Sequence, residues 1–221
     1  ILADNEIYDN GGNGISFSGT GVRTVTGNTV YRHLSSGAYG IYGGGSERIT
    51  NNTVYQNNRG IYGYSLEVSG NRVFGNINAG IEVLVSERIT GNFIYSNGTG
   101  VELKTSSASA SVTNNLIYSN TNYGILITSS GGNTSNRLVI ANNTIDQPVG
   151  DAIRITSSNA YYNLVNNIIN SGTGYGIFVQ NGAGTGLVSD RNLFFHNGAG
   201  GSFVGQRGGG EYAALSAWQA G

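Results

Sequence analysis

Along this chain the aliphatic residues recur in short alternating stretches, each broken by Gly, Asn or Ser. Three residues before a recurring asparagine stand Leu2, Val25, Ile49, Val68, Ile89, Val112, Ile140 and Leu164, with Ser189 the one break. Two residues after the same asparagine come Ile7, Val30, Val54, Val73, Ile94, Ile117, Ile145, Ile169 and Phe194. Later in each unit a small residue precedes an aliphatic, as in Gly14-Ile15, Gly40-Ile41, Gly60-Ile61, Gly80-Ile81, Gly100-Val101, Gly124-Ile125, Ala152-Ile153 and Gly176-Ile177. Alternation with period two over a few residues predicts β-strands, and no stretch sustains a helical period.

The asparagines themselves, Asn5, Asn28, Asn52, Asn71, Asn92, Asn115, Asn143, Asn167 and Asn192, are 19 to 28 residues apart. A period of that size marks a solenoid. Each unit holds three short strands, so the expected architecture is all-β, with three parallel sheets around an aliphatic interior and about nine to ten coils at the usual strand spacing. Stacked in register at a turn, each asparagine amide would bond the copies above and below it. Glycine before the aliphatic suits a turn that needs positive φ. His33 and His196 fall five or four residues past their asparagines, near positions that elsewhere hold Asn, and read as substituted turn residues.

The recurring N-x-I-x-x-N…G-I-x-V pattern, seen in Asn92-Phe-Ile-Tyr-Ser-Asn97 followed by Gly100-Val-Glu-Leu103, resembles the right-handed parallel β-helix family of the pectate lyase type. The resemblance covers roughly residues 1 to 204 and implies a right-handed parallel β-helix. It further implies that the sheet carrying the Gly-Ile strands, with its neighbouring loops, forms a saccharide groove. The β-helix is expected over residues 1–207, followed by a Gly-rich linker and short capping segment over 208–221. There Leu215 and Trp218 lie three apart, as in the tails of some secreted bacterial proteins the segment resembles.

Composition narrows the function classes. Gly supplies 37 residues and Asn 29, Pro only 1, and the chain has no Cys. Without cysteine there is neither a disulfide framework nor a thiolate metal site. The formal net charge is −1, and Lys104 is the sole lysine. Nucleic acid is a poor partner for such a surface, because phosphate neutralisation needs a clustered positive face. No apolar run is long enough to span a bilayer, so membrane insertion is not expected. The absence of Met suggests a piece of a longer chain with flanking domains, and a secreted or bacterial-surface location is the expectation.

Alternation also assigns the outward columns. Tyr8, Tyr31, Tyr55, Phe74, Tyr95 and Tyr118 follow the inward aliphatic of consecutive coils, and form either a stacked ladder or a platform for sugar rings. Glu47, Leu66 and Glu87 fall in one column and Arg48, Glu67 and Arg88 in the next, giving favourable cross-strand charge pairs on a solvent-facing surface. On the Gly-Ile strands the outward residues are Ser16, Tyr42, Tyr62, Glu82, Glu102, Leu126, Arg154 and Phe178, with Tyr64 and Lys104 two positions further along.

Glu82 and Glu102 would lie one coil apart, about 5 Å. That spacing would let them bind a cation such as Ca²⁺ or pair with a base. With Lys104 and Arg154 they are the candidate catalytic residues, and Tyr42, Tyr62, Tyr64 and Phe178 the candidate substrate-binding surface. A uronic-acid polymer along this face would have its carboxylate neutralised by Ca²⁺ or Arg154, and Lys104 or Tyr64 would abstract the adjacent C–H proton in elimination or epimerisation. Two carboxylates about 5 Å apart also match a retaining glycosidase pair. A solvated ion-pair cluster is the plain alternative. Family motifs for catalysis are missing: there is no paired-Asp motif of the polygalacturonase kind and no Asp-Pro-His of the alginate epimerases. Polysaccharide binding with lyase or epimerase activity is thus one expectation, and a non-catalytic stalk, adhesin or surface-layer module is the other.

Overall fold

The computed structural model describes residues 1–64, 67–84, 88–104, 110–128, 133, 136–157, 161–180, 183, 186–196, 205–207 and 210–212. Every regular element among them is a β-strand, and the strands stack coil on coil in parallel as a β-solenoid. The inward aliphatics of the alternating stretches meet along the axis. Val25, Ile49, Val68, Val54, Val73, Ile94, Ile41, Ile61, Ile81 and Val101 are all at zero exposure in one continuous core.

The number of sheets differs from the expectation. Among the described residues two are present, one of 17 strands and one of nine, in place of three. In most coils the strand carrying the Gly-Ile pair ends before the next begins. The strands Ile15–Thr26 and Tyr39–Thr50 instead run twelve residues each through that corner and pair with each other on both sides of it. Their pairing, which shifts register between Ser18 and Val22 but resumes beyond it, joins two faces into one sheet. About seven turns are stacked between neighbours, fewer than the nine to ten coils expected. The outermost rungs each have one partner only, and their core residues Leu2, Ile7 and Phe194 are just partly buried.

The recurring asparagines form the expected ladder at one corner. Asn71 is typical: its backbone N–H donates to Asn92 Oδ1 at 2.9 Å, and its Nδ2 donates to Asn92 Oδ1, Ile49 O and Ser69 O at 3.0, 2.8 and 3.1 Å. The same arrangement links Asn28 to Asn52 and Asn143 to Asn167, so polar turns enter the interior with their amides satisfied. The residue before each of these asparagines has positive φ, and it is Asp, Gly or Asn at every rung except Arg191. These are the residue types that tolerate the left-handed region.

A second ladder occupies the next corner. Asn57, Asn76, Asn97 and Asn120 follow one another, each backbone N–H donating to the Oδ1 of the next at 3.0 to 3.1 Å. His33 caps it as a substituted turn residue: Asn10 N–H donates to its Nδ1 at 3.2 Å, and His33 N–H donates to Asn57 Oδ1 at 3.1 Å. Here the corner residue before each rung, such as Arg32, Gln56, Ser96 and Ser119, again has positive φ.

The glycine before each inward aliphatic is there for another reason than the one expected. None of Gly14, Gly40, Gly60, Gly80, Gly100 or Gly124 has positive φ. A Cβ on Gly80 would stand 2.8 Å from Asn97 Nδ2 and 2.9 Å from Gly100 O, and one on Gly100 would stand 2.5 Å from Gly124 O. The glycines allow the second asparagine ladder and the adjacent rung to approach the backbone.

One further expectation needs correction. Glu47 is fully buried, not solvent-facing, because Arg23 of the adjacent coil reaches its Oε1 at 3.1 Å and Gly45 N–H donates to its Oε2 at 3.0 Å. Gly210–Tyr212 is a strand antiparallel to Gly205–Arg207. Leu66, Glu87, Leu215 and Trp218 lie outside the described residues.

Candidate functional site

The outward row on the Gly-Ile strands is assembled as alternation requires. Tyr42 pairs with Tyr62, Tyr62 with Glu82, Glu82 with Glu102, Glu102 with Leu126, Leu126 with Arg154, and Arg154 with Phe178. Lys104 continues its strand, its N–H donating to Val83 O at 2.8 Å. That brings its ammonium between the two glutamates, 3.1 Å from Glu82 Oε1 and 3.3 Å from Glu102 Oε1.

Sequence reasoning missed the column that completes this cluster. One position before each Gly lies another outward residue: Tyr39 pairs with Arg59, Ala79 with Thr99, Thr99 with Tyr123, and Tyr123 with Asp151. Simple alternation hid them, because it groups them with the inward aliphatic two positions on; the glycine between also faces the interior, where a Cβ on Gly60 would meet Val73 and Asn76, and that break turns the preceding residue outward. Arg59 Nη1 donates to Glu82 Oε2 at 2.9 Å and to Tyr39 Oη at 2.7 Å. The ions therefore run Arg59, Glu82, Lys104, Glu102 in an unbroken chain. Glu82 is nearly inaccessible beneath the two cations, whereas Glu102 and Lys104 remain partly open.

Burial pushes the Tyr39 phenol up to about 12, the Arg59 hydrogen bond opposing and the Glu82 charge adding to the rise. Burial draws the Arg59 guanidinium down, but the Tyr39 hydrogen bond and the Glu82 charge outweigh it and hold the group above its ordinary value.

The remaining site candidates are dispersed. Arg154 is one rung beyond Leu126, where it bonds Asp151 at 2.7 Å and lies 3.9 Å over the Phe178 ring. It belongs to a second, separate ion pair. Tyr42 and Tyr62 stack at 4.6 Å, with Tyr39 edge-on to Tyr62 at 5.1 Å. Tyr64 stands half exposed. On the nine-stranded sheet the six aromatics from Tyr8 to Tyr118 stack at 4.7 to 5.1 Å with interplanar angles of 1 to 14°. Their faces cover one another, which makes them a ladder and leaves mainly ring edges to a ligand.

Glu82 and Glu102 do not fit a calcium ion. Calcium takes six to eight oxygen ligands, and here the Lys104 ammonium holds the place between the carboxylates. Among the described residues no three His, Cys, Asp or Glu side chains cluster as a metal site.

Above the ion chain is a cleft of about 310 Å³, lined chiefly by Arg59, Asn78, Thr99, Glu102, Lys104, Asn122, Tyr123 and Leu126. Asn78 and Asn122, at the corner beside the second ladder, wall one side. Most of the excursions at 105–110 and 128–137 falls outside the described residues.

The family model described as "Right handed beta helix region" matches residues 1–137 and 133–213. The chain belongs to the right-handed β-helix family. The coils therefore wind right-handed, and membership supports a carbohydrate-active or a structural protein in general. Searches of curated proteins and of solved structures give no match. For this right-handed β-helix the chemistry must accordingly be argued from the cleft itself.

Proposed function

We propose that this protein binds a saccharide in the cleft over Glu102 and Lys104. The observation that carries the reading is a concave, polar site on a rigid sheet, with carboxylate, ammonium, amide and hydroxyl groups converging beside the Tyr123 ring and Leu126. Such a mixture suits a ligand whose every hydroxyl both donates and accepts. The reading carries with it a location outside the cell, where such polymers are met.

Binding rather than lyase or epimerase chemistry is the better-supported part. The expected base Lys104 is held as an ammonium by both glutamates, and Arg154, expected to neutralise the uronate, is committed to Asp151 and Phe178. Retention on immobilised polysaccharides tests the reading. The expected result is retention that weakens in Asn122→Ala and Thr99→Val, with no unsaturated product in the ultraviolet. Product that disappears in Lys104→Ala would restore the lyase.

A rigid stalk or surface-layer module is the second reading. It is favoured by the two buried ladders, which stiffen the stack without reference to any cleft. Absence of retention on every polymer would select it.

A further inference from the structure

Resting on the saccharide-binding reading, we infer that the cleft takes an uncharged, hydroxyl-rich saccharide and discriminates against uronic-acid polymers.

Charge is the first argument. Arg59 and Lys104 supply two cations, Glu82 and Glu102 two anions, and each cation is already within 3.3 Å of a carboxylate. The cleft offers an incoming carboxylate no net attraction. To neutralise one, Lys104 or Arg59 would have to turn away from Glu82. That carboxylate is only 4% exposed, and stripping a partner from a buried ion carries a heavy penalty. A uronate would also meet the open side of Glu102.

The unused bonding capacity is the second argument. Lys104 reaches Glu82 and Glu102 and has a further N–H to give, since an ammonium carries three. Glu102 pairs with Lys104 through Oε1, and no described residue bonds its Oε2. An acceptor beside a donor is complementary to a vicinal diol: one hydroxyl donates to Glu102 Oε2 while its neighbour accepts from Lys104 Nζ. Asn78, Asn122 and Thr99 extend the polar rim, and Tyr123 and Leu126 face the C–H surface of the ring. The arrangement orients a neutral sugar without displacing any existing ion pair.

The test compares retention on neutral polymers (β-glucan, xylan and mannan) with polygalacturonate and alginate, each at low and high salt. A neutral polymer should be retained, and salt should leave that retention unchanged because no net charge is neutralised. Glu102→Ala should weaken it about tenfold or more, the loss expected of a charge-assisted hydrogen bond. Glu102→Gln, which keeps the shape and one acceptor, should weaken it less. Because Glu102 is partly open, both variants should retain the thermal unfolding of the parent, checked by circular dichroism. Uronates retained as well as or better than neutral polymers, with retention lost in salt, would overturn the ligand class while leaving saccharide binding intact. Neutral retention untouched by Glu102→Ala would remove the ligand from this cleft. Retention on neither class would overturn the binding reading itself.

Discussion

Tyr39 ties two outward columns together: its hydroxyl accepts from Arg59, its ring meets Tyr62 edge-on, and Arg59 leads on to Glu82. Its phenol is raised from the ordinary 10.0 to about 12, first by burial, and the Tyr31 phenol is raised to about 12 by its hydrogen bond to Glu6. In the unfolded chain each would lose its proton near 10, so the folded state binds more protons between about 10 and 12. The stability these groups contribute is complete below pH 10 and should fall as pH rises through that window. Spectrophotometric titration of tyrosinate should show the late fraction advance in Tyr31→Phe and Tyr39→Phe by loss of the corresponding amplitude. Glu82, Glu102 and Lys104 were legible in the sequence because strict alternation aims them outward. Arg59 and Asp151 were not, since simple alternation groups each with the inward aliphatic two positions on.

At the scale of single elements, the Gly-aliphatic strand is limited by its neighbour rather than by its own dihedral angles. Gly80→Ala should destabilise the protein by about 1–3 kcal/mol, because the added methyl must displace the Asn97 amide and the Gly100 carbonyl. The urea midpoint measures this. A change under about 0.5 kcal/mol would mean that the rungs separate freely at this corner. Sequence could locate these glycines but not explain them, because the colliding atoms belong to the next coil and to a ladder that had not been read. That ladder was hidden by a slip in spacing: its rungs lie five residues past the first asparagine as far as Asn120, then four at Gln147, Ser171 and His196. Gln147 accordingly breaks the pattern, and its Nε2 bonds the carbonyls of Asn120 and Val149 instead of an asparagine oxygen.

For the whole molecule, apart from Arg137, which bonds Gly186 O two coils on, each coil contacts the coils on either side, so stability is close to a sum of local terms and couplings between neighbours. Asn92→Ala removes five side-chain bonds at once, two that Oδ1 accepts from Asn71 and three that Nδ2 donates to Asn115 Oδ1, Val68 O and Thr90 O, and leaves buried groups unpaired. The expected cost is about 3–5 kcal/mol, enough for the stack to part at that coil. Denaturant unfolding followed by circular dichroism should then separate into two transitions, whereas one sharp transition at lower denaturant would indicate coupling stronger than between neighbours alone. The solenoid and its inward residues were legible from the period, but the number of turns was not. The merging of two faces was not, because it depends on whether Ile15–Thr26 and Tyr39–Thr50 pass a corner without breaking, which is settled by pairing between distant segments.

The first asparagine ladder has one more property. Its amide carbonyls all point the same way: from Asn28 through Asn167 each Oδ1 faces the lower-numbered coil, while one side-chain N–H donates to the Oδ1 of the higher-numbered coil and the other returns to a backbone carbonyl of the lower one. The His33 to Asn120 ladder runs in the same sense. Backbone bonds between parallel strands leave little net dipole, but aligned side-chain amides, each about 3.5 D if taken like a peptide unit, add head to tail. The solenoid is therefore electrically polar along its axis, with partial negative charge toward the lower-numbered coils and partial positive charge toward the higher ones, although its formal charges nearly cancel.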